Sequence, residues 1–65
     1  MRILVNGDWR EIAARQLAGT LEELGYRGRI VATAVNGEFV PLEARVAREL
    51  AEGDRLEVLA PMQGG

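Results

Sequence analysis

The groups through which this 65-residue chain can do chemistry are its carboxylates, two threonines (Thr20 and Thr33), one tyrosine (Tyr26) and the chain ends, because it contains no cysteine, histidine, lysine or serine. Nucleophile-and-base catalysis of the Ser/His/Asp or Cys/His kind lacks its parts, and a lysine Schiff base cannot form. The imidazole and thiolate ligands that zinc and most transition metals favour are missing too, so no metal site is expected. Glu22 and Glu23 are adjacent carboxylates, but neighbouring helical residues point in different directions. They read as a solvated face, not as an acid/base dyad.

That leaves the ending Pro61-Met62-Gln63-Gly64-Gly65. A carboxylate on Gly65, with an ordinary pKa of about 3.3 to 3.7, is ionised at neutral pH and can attack a nucleotide phosphorus. It becomes a useful electrophile only after such activation has turned it into an acyl-adenylate. Residues 61–65 span at most about 17 Å when extended, and glycines without a Cβ pass a narrow channel and let enzyme groups approach the backbone. A frayed chain end accounts for the same residues equally simply.

A slim tail needs a body to carry it. Eighteen residues are Leu, Ile, Val or Phe, well above the roughly 20% below which chains tend to stay disordered, so one small folded domain is expected. A chain of this length buries only about 60% of its unfolded surface. It has one modest core and little room for a deep substrate pocket. Eight scattered arginines against ten acids give a net charge of −2, which argues against binding nucleic acid by phosphate neutralisation. No apolar run approaches the roughly 18 residues of a membrane span, and Met1-Arg2-Ile3-Leu4-Val5-Asn6-Gly7 turns polar too soon for a signal peptide. With no membrane contact and no need of an oxidising compartment, a cytoplasmic protein is expected.

Two Asn-Gly pairs organise the chain. Ile3-Leu4-Val5 runs into Asn6-Gly7, the dipeptide best suited to a type I′ turn, with a return strand over 8–12. Trp9 on that strand is read as half-buried packing near the hairpin. Ile30 to Val35, Asn36-Gly37 and Glu38-Phe39-Val40 repeat the pattern, and Pro41 ends the return strand. Between the hairpins Leu17, Leu21 and Leu24 share one face of a helix from about Gln16 to Leu24, with Gly25 as its C-terminal glycine. Gly19 inside that helix costs about 1 kcal/mol relative to alanine, and Thr20 with Glu23 offers a competing capping-box start. Leu42, Val46 and Leu50 are helically spaced, although a short turn followed by an extended piece fits almost as well. Arg55-Leu56-Glu57-Val58-Leu59 alternates as a final strand should. The order is that of an α+β domain, one sheet packed on a helix.

Taken in order and spacing, Met1 to Gly7, Ala34-Val35-Asn36-Gly37-Glu38-Phe39-Val40-Pro41, Leu50-Ala51-Glu52-Gly53-Asp54-Arg55-Leu56-Glu57-Val58-Leu59 and Pro61-Met62-Gln63-Gly64-Gly65 resemble the ThiS family, the sulfur carrier proteins of thiamine biosynthesis. The resemblance implies a ubiquitin-like β-grasp fold, a mixed sheet of four to five strands around one main helix, with residues 1–60 as the domain and 61–65 as a flexible, extended C-terminal tail. It also implies a short helical turn and a brief strand after Pro41 in place of a longer helix. One departure lies at the main helix, which family members tend to begin with a threonine N-cap. Here the start reads Arg15-Gln16-Leu17.

By the same resemblance the chain is no enzyme and binds no cofactor of its own. A ThiF-type adenylyltransferase, using ATP and magnesium, adenylates Gly65; a persulfide from a cysteine desulfurase route displaces AMP to leave a thiocarboxylate; and a ThiG-type thiazole synthase takes the sulfur. Gly64 supplies the slim neck, while Pro61, Met62 and Gln63 are read by the partner enzymes. Leu56 and Leu59, close to the tail on the last strand, are candidate docking residues, although alternation also makes Leu56 a core position. Two other readings share the fold and tail, a sulfur carrier for molybdopterin synthesis and a ubiquitin-type protein modifier.

Overall fold

Each Asn-Gly pair makes the turn its chemistry favours. Asn6 and Asn36 have φ of 49° and 51°, and the following Gly7 and Gly37 have 88° and 84°, so both central residues of each turn take the left-handed conformation that a type I′ hairpin requires. The first turn joins β1 (Arg2–Val5) to β2 (Asp8–Glu11), and the second joins β3 (Ala32–Val35) to β4 (Glu38–Val40). The computed structural model describes residues 1–61. Within them β5 (Arg55–Leu59) lies in the middle of a five-stranded sheet of order β2-β1-β5-β3-β4. It runs parallel to β1, with Leu4 beside Arg55 and Val5 beside Leu56, and antiparallel to β3, where Ala32 faces Leu59 and Val35 faces Leu56. The sheet is therefore mixed, with its one parallel pair at the centre.

Helix α1 (Leu17–Glu23) covers one face of the sheet. Ile3 and Val5 of β1, Leu56 and Val58 of β5, and Val35 of β3 meet Leu17 and Leu21, and Ile12, Val40 and Leu50 close the core. Fully burying an aliphatic side chain contributes about 1.5 to 3 kcal/mol, and Ile3, Leu17, Val35 and Leu56 are wholly buried. The helix ends at Leu24, followed by Gly25 at φ 93°. Gly19 is retained inside it for a steric reason: a Cβ there would stand 3.1 Å from that of Ala14.

The start of α1 shows how Arg15-Gln16-Leu17 begins a helix without a threonine. Gln16 is extended and makes no side-chain cap. The first-turn donors, which have no partner within a helix, are met from elsewhere in the fold. Leu17 N–H donates to the Arg48 carbonyl at 2.8 Å and Ala18 N–H to that of Arg45 at 3.1 Å. Thr20 is not an N-cap. It sits one turn into the helix, fully buried, its hydroxyl donating to the Gln16 carbonyl at 2.9 Å.

Three expectations need correction. The return strand of the first hairpin stops at Glu11, and Ile12 leaves it to enter the core. The strand expected from Ile30 begins only at Ala32, leaving Ile30 83% exposed. After Pro41 the chain makes a 3₁₀ turn, Leu42–Ala44, and in place of a brief strand a single antiparallel bridge between Glu49 and Gln16. The spacing of Leu42, Val46 and Leu50 marks no common buried face: Leu50 is buried, whereas Leu42 and Val46 are 73% and 72% exposed. The anchor of this segment is Arg45, 8% exposed, whose Nε donates to the Thr33 hydroxyl at 3.1 Å and Nη2 to the Val31 carbonyl at 2.6 Å. Thr33 in turn donates to the Val40 carbonyl at 2.8 Å.

Candidate functional site: the tail root and the outer sheet face

Side chains alternate along a strand, so on β5 Leu56 and Val58 point into the core and Arg55, Glu57 and Leu59 point to the uncovered face of the sheet. Leu56 is therefore a core residue and not a docking residue: it is 0% exposed between β1, β3 and α1. Leu59 is 68% exposed on the open face.

The surface around Leu59 has a definite shape. The β3 residues on this face are small, Ala32 opposite Leu59 and Ala34 between Glu57 and Phe39. Two large side chains, Leu59 and the 65%-exposed Phe39 of β4, thus flank a low row of alanines. The result is a shallow apolar depression of about 130 Å³ lined by Ala32, Ala34, Phe39, Glu57 and Leu59. A second hollow, of about 350 Å³, continues past Leu59 along Ile30, Ala60 and Pro61, the residues from which the tail departs. Trp9 lies at the other side of the sheet, on edge strand β2, half-exposed with the Arg2 guanidinium 4.9 Å above its ring. It takes no part in the surface beside the tail.

The strand that carries the tail is gripped from both sides by the turn asparagines. Val58 N–H donates to Asn6 Oδ1 at 2.8 Å, and Asn6 Nδ2 donates to the Val58 carbonyl at 3.0 Å. At the start of the strand Arg55 N–H donates to Asn36 Oδ1 at 2.9 Å, and Asn36 Nδ2 to Asp54 Oδ1 at 3.0 Å. Pro61 is exposed at the tail root. Gly65, Gly64, Gln63 and Met62 lie outside the described residues. No residue triplet among the described Asp and Glu comes together as a metal site, and no described helix is long and apolar enough to cross a membrane.

Sequence reasoning named Leu59 but missed Phe39 and Ile30, and it read both asparagines only as turn formers. Phe39 was legible from the second hairpin, since the register of an Asn-Gly turn puts it opposite Ala34 on the face away from Val40. Nothing local marks the asparagine carboxamides, whose partners lie 52 and 19 residues away along the chain.

A model of the ThiS family matches residues 3–65. The chain belongs to the ThiS family. It is 41% identical over 64 residues to the sulfur carrier protein ThiS of Thermus thermophilus, covering 97% of this chain and 98% of that protein. It superimposes on the crystal structure of the thiamine biosynthesis protein ThiS from Geobacter metallireducens with a TM-score of 0.82, at 29% identity and full coverage of both chains. It also aligns over its whole length, at 35% identity over 66 residues, with a thiazole synthase of Paramagnetospirillum magneticum, of which it spans 20%. The fold is the ubiquitin-like β-grasp of ThiS, as the resemblance implied. As a ThiS protein the chain is a sulfur carrier of thiamine biosynthesis, not a catalyst, and of the three readings that its ending left open the comparisons select this one.

Proposed function

We propose that the carrying group is the carboxylate of Gly65 and that the outer sheet face beside Leu59 is where partner enzymes hold the protein while they work on it. The observation that carries the reading is the absence of cysteine, and of serine, histidine and lysine with it, which leaves carboxylates, two threonines and a tyrosine as the reactive side chains. Thr20 and Thr33 are buried, 0% and 1% exposed, with their hydroxyls engaged in the fold. Sulfur carried by this chain has the terminal carboxylate as its natural site.

In this scheme a carboxylate oxygen of Gly65 attacks the α-phosphorus of ATP on a ThiF-type adenylyltransferase, and magnesium pyrophosphate leaves. The terminal sulfur of a persulfide, supplied by a cysteine desulfurase route, attacks the acyl carbon and AMP leaves. A thiol then cleaves the sulfur–sulfur bond of the acyl disulfide, becoming a disulfide itself and freeing the thiocarboxylate. A ThiG-type thiazole synthase takes that sulfur into the thiazole ring. The alignment of the whole chain with one-fifth of a thiazole synthase supports such a partner. Gly64 gives the neck its slimness, and Pro61, Met62 and Gln63 are the residues the partners read. ATP and magnesium belong to the adenylyltransferase, and the cycle runs in the cytoplasm.

Intact-mass measurement tests this directly. After incubation with the adenylyltransferase, ATP, magnesium and a persulfide source, the parent chain gains the mass of one oxygen replaced by sulfur. Deletion of Gly65 leaves the fold, read by circular dichroism, unchanged and abolishes the gain. A sulfur gain that survives the deletion places the cargo elsewhere, and a ladder of conjugates to other proteins identifies a modifier instead.

A further inference from the structure

The parallel ladder between β1 and β5 is shorter than β5. Leu4 N–H donates to the Asp54 carbonyl and Asn6 N–H to the Leu56 carbonyl, each at 2.9 Å. At that point the first turn carries the chain away, since Asp8 already runs back as β2 opposite Val5. The next rung on this side of β5 requires an acceptor for Val58 N–H and a donor for its carbonyl. In a continued parallel ladder these come from the carbonyl of one residue and the N–H of the residue two further on. The Asn6 carboxamide supplies both, at 2.8 and 3.0 Å. Its left-handed backbone, φ 49°, is what turns the chain aside while leaving the side chain in line with β1.

We infer that Asn6 is a positioning residue for the carrier tail: its carboxamide stands in for a missing length of β1, fixing the half of β5 next to the tail so that Pro61 leaves the sheet in one direction relative to the docking face. The inference rests on the tail chemistry proposed above. On the β3 side the same stretch is held by the pairing of Ala32 with Leu59; on the β1 side the described hydrogen bonds to Val58 are those of Asn6 alone. An enzyme that grips Leu59 and Phe39 and receives Gly65 gains rate from a tail root already aimed at Pro61, because alignment raises the effective concentration of the reacting carboxylate. Asn36 makes a similar grip at the opposite end of β5, on Arg55, and serves as an internal comparison.

The test uses Asn6→Gly and Asn36→Gly, since glycine keeps each turn's positive φ and removes only the carboxamide. Amide hydrogen exchange, read against the amides of Leu56 and Val35, is expected to speed up at Val58 by about five- to tenfold in Asn6→Gly, the factor set by one lost hydrogen bond, and to stay unchanged there in Asn36→Gly. In ATP–pyrophosphate exchange with the adenylyltransferase, Asn6→Gly is expected to lower kcat about tenfold with KM within about twofold, while Asn36→Gly matches the parent. Parent-like protection of Val58 in Asn6→Gly overturns the clamp itself. Faster exchange with an unchanged kcat, or equal losses in both variants, overturns its role in aiming the tail. A parent chain that supports no pyrophosphate exchange overturns the carboxylate chemistry and the aiming role with it, whereas the Val58 amide still decides the clamp.

Discussion

Glu23 shows how a single side chain can be placed correctly by local rules and still be misunderstood. It does diverge from Glu22, and the two form no dyad, yet its carboxylate is far from idle: Oε2 accepts from Ala13 N–H at 2.9 Å and Oε1 from Ala14 N–H at 3.0 Å. Those two backbone donors, Ala13 first, hold its carboxyl below the usual 4.5. A folded-state value below the unfolded one makes the contribution to stability fully present above about pH 4.5 and lost as pH falls through the folded value. The urea midpoint of the parent is therefore expected to drop on acidification below that point. Glu23→Gln, less stable at neutral pH, shows a flatter profile, so the gap between the two narrows in acid; parallel profiles contradict this role. The carboxylate ties the loop leaving the first hairpin to the last turn of α1, a contact that helical periodicity has no means of showing.

At the scale of elements, β5 separates two kinds of leucine that sequence alone put together. Leu56→Ala empties a fully enclosed site and is expected to cost about 2 to 5 kcal/mol, measured by urea unfolding. Leu59→Asp, on the open face, is expected to shift stability by no more than about 0.5 kcal/mol and to weaken binding to the adenylyltransferase or thiazole synthase about tenfold or more, measured by titration calorimetry. Unchanged binding in Leu59→Asp removes this face from the docking site. The strand itself was legible in its alternation, both hairpins in their Asn-Gly pairs, and α1 in its leucine spacing. Which face of β5 looks outward was legible in that alternation, which makes Leu56 a core position, and α1 covering one side of the sheet settles it. The stretch from Leu42 to Leu50 misled: its apolar spacing is genuine, but Leu42 and Val46 face solvent, and its hold on the domain comes from Arg45 reaching Thr33 and Val31. An arginine acting as a buried tether carries no sequence signature. The carrier tail was readable as chemistry, by elimination and by resemblance, while the hollow beside it emerged only when Ala32 and Ala34 were set between Leu59 and Phe39.

Over the whole molecule, the two central strands, β1 and β5, are the first and last of the described strands along the chain. Pairing of β1 with β5 closes a loop of most of the chain, and such non-local contacts form slowly compared with hairpins and helices. Without β5 the sheet divides into two separate hairpins, each too small to be stable in water. Removing residues 55–65 is therefore expected to abolish cooperative thermal unfolding, whereas removing Gly65 alone preserves it; a cooperative transition in the longer truncation contradicts the central role given to β5. This topology has a consequence for how the carrier is manufactured. On the ribosome the central strand leaves the exit tunnel just ahead of the tail, so a translation product interrupted before β5 is complete has neither a formed docking face nor a cargo end. In the proposed cycle such a product is no folded decoy for the activating enzyme.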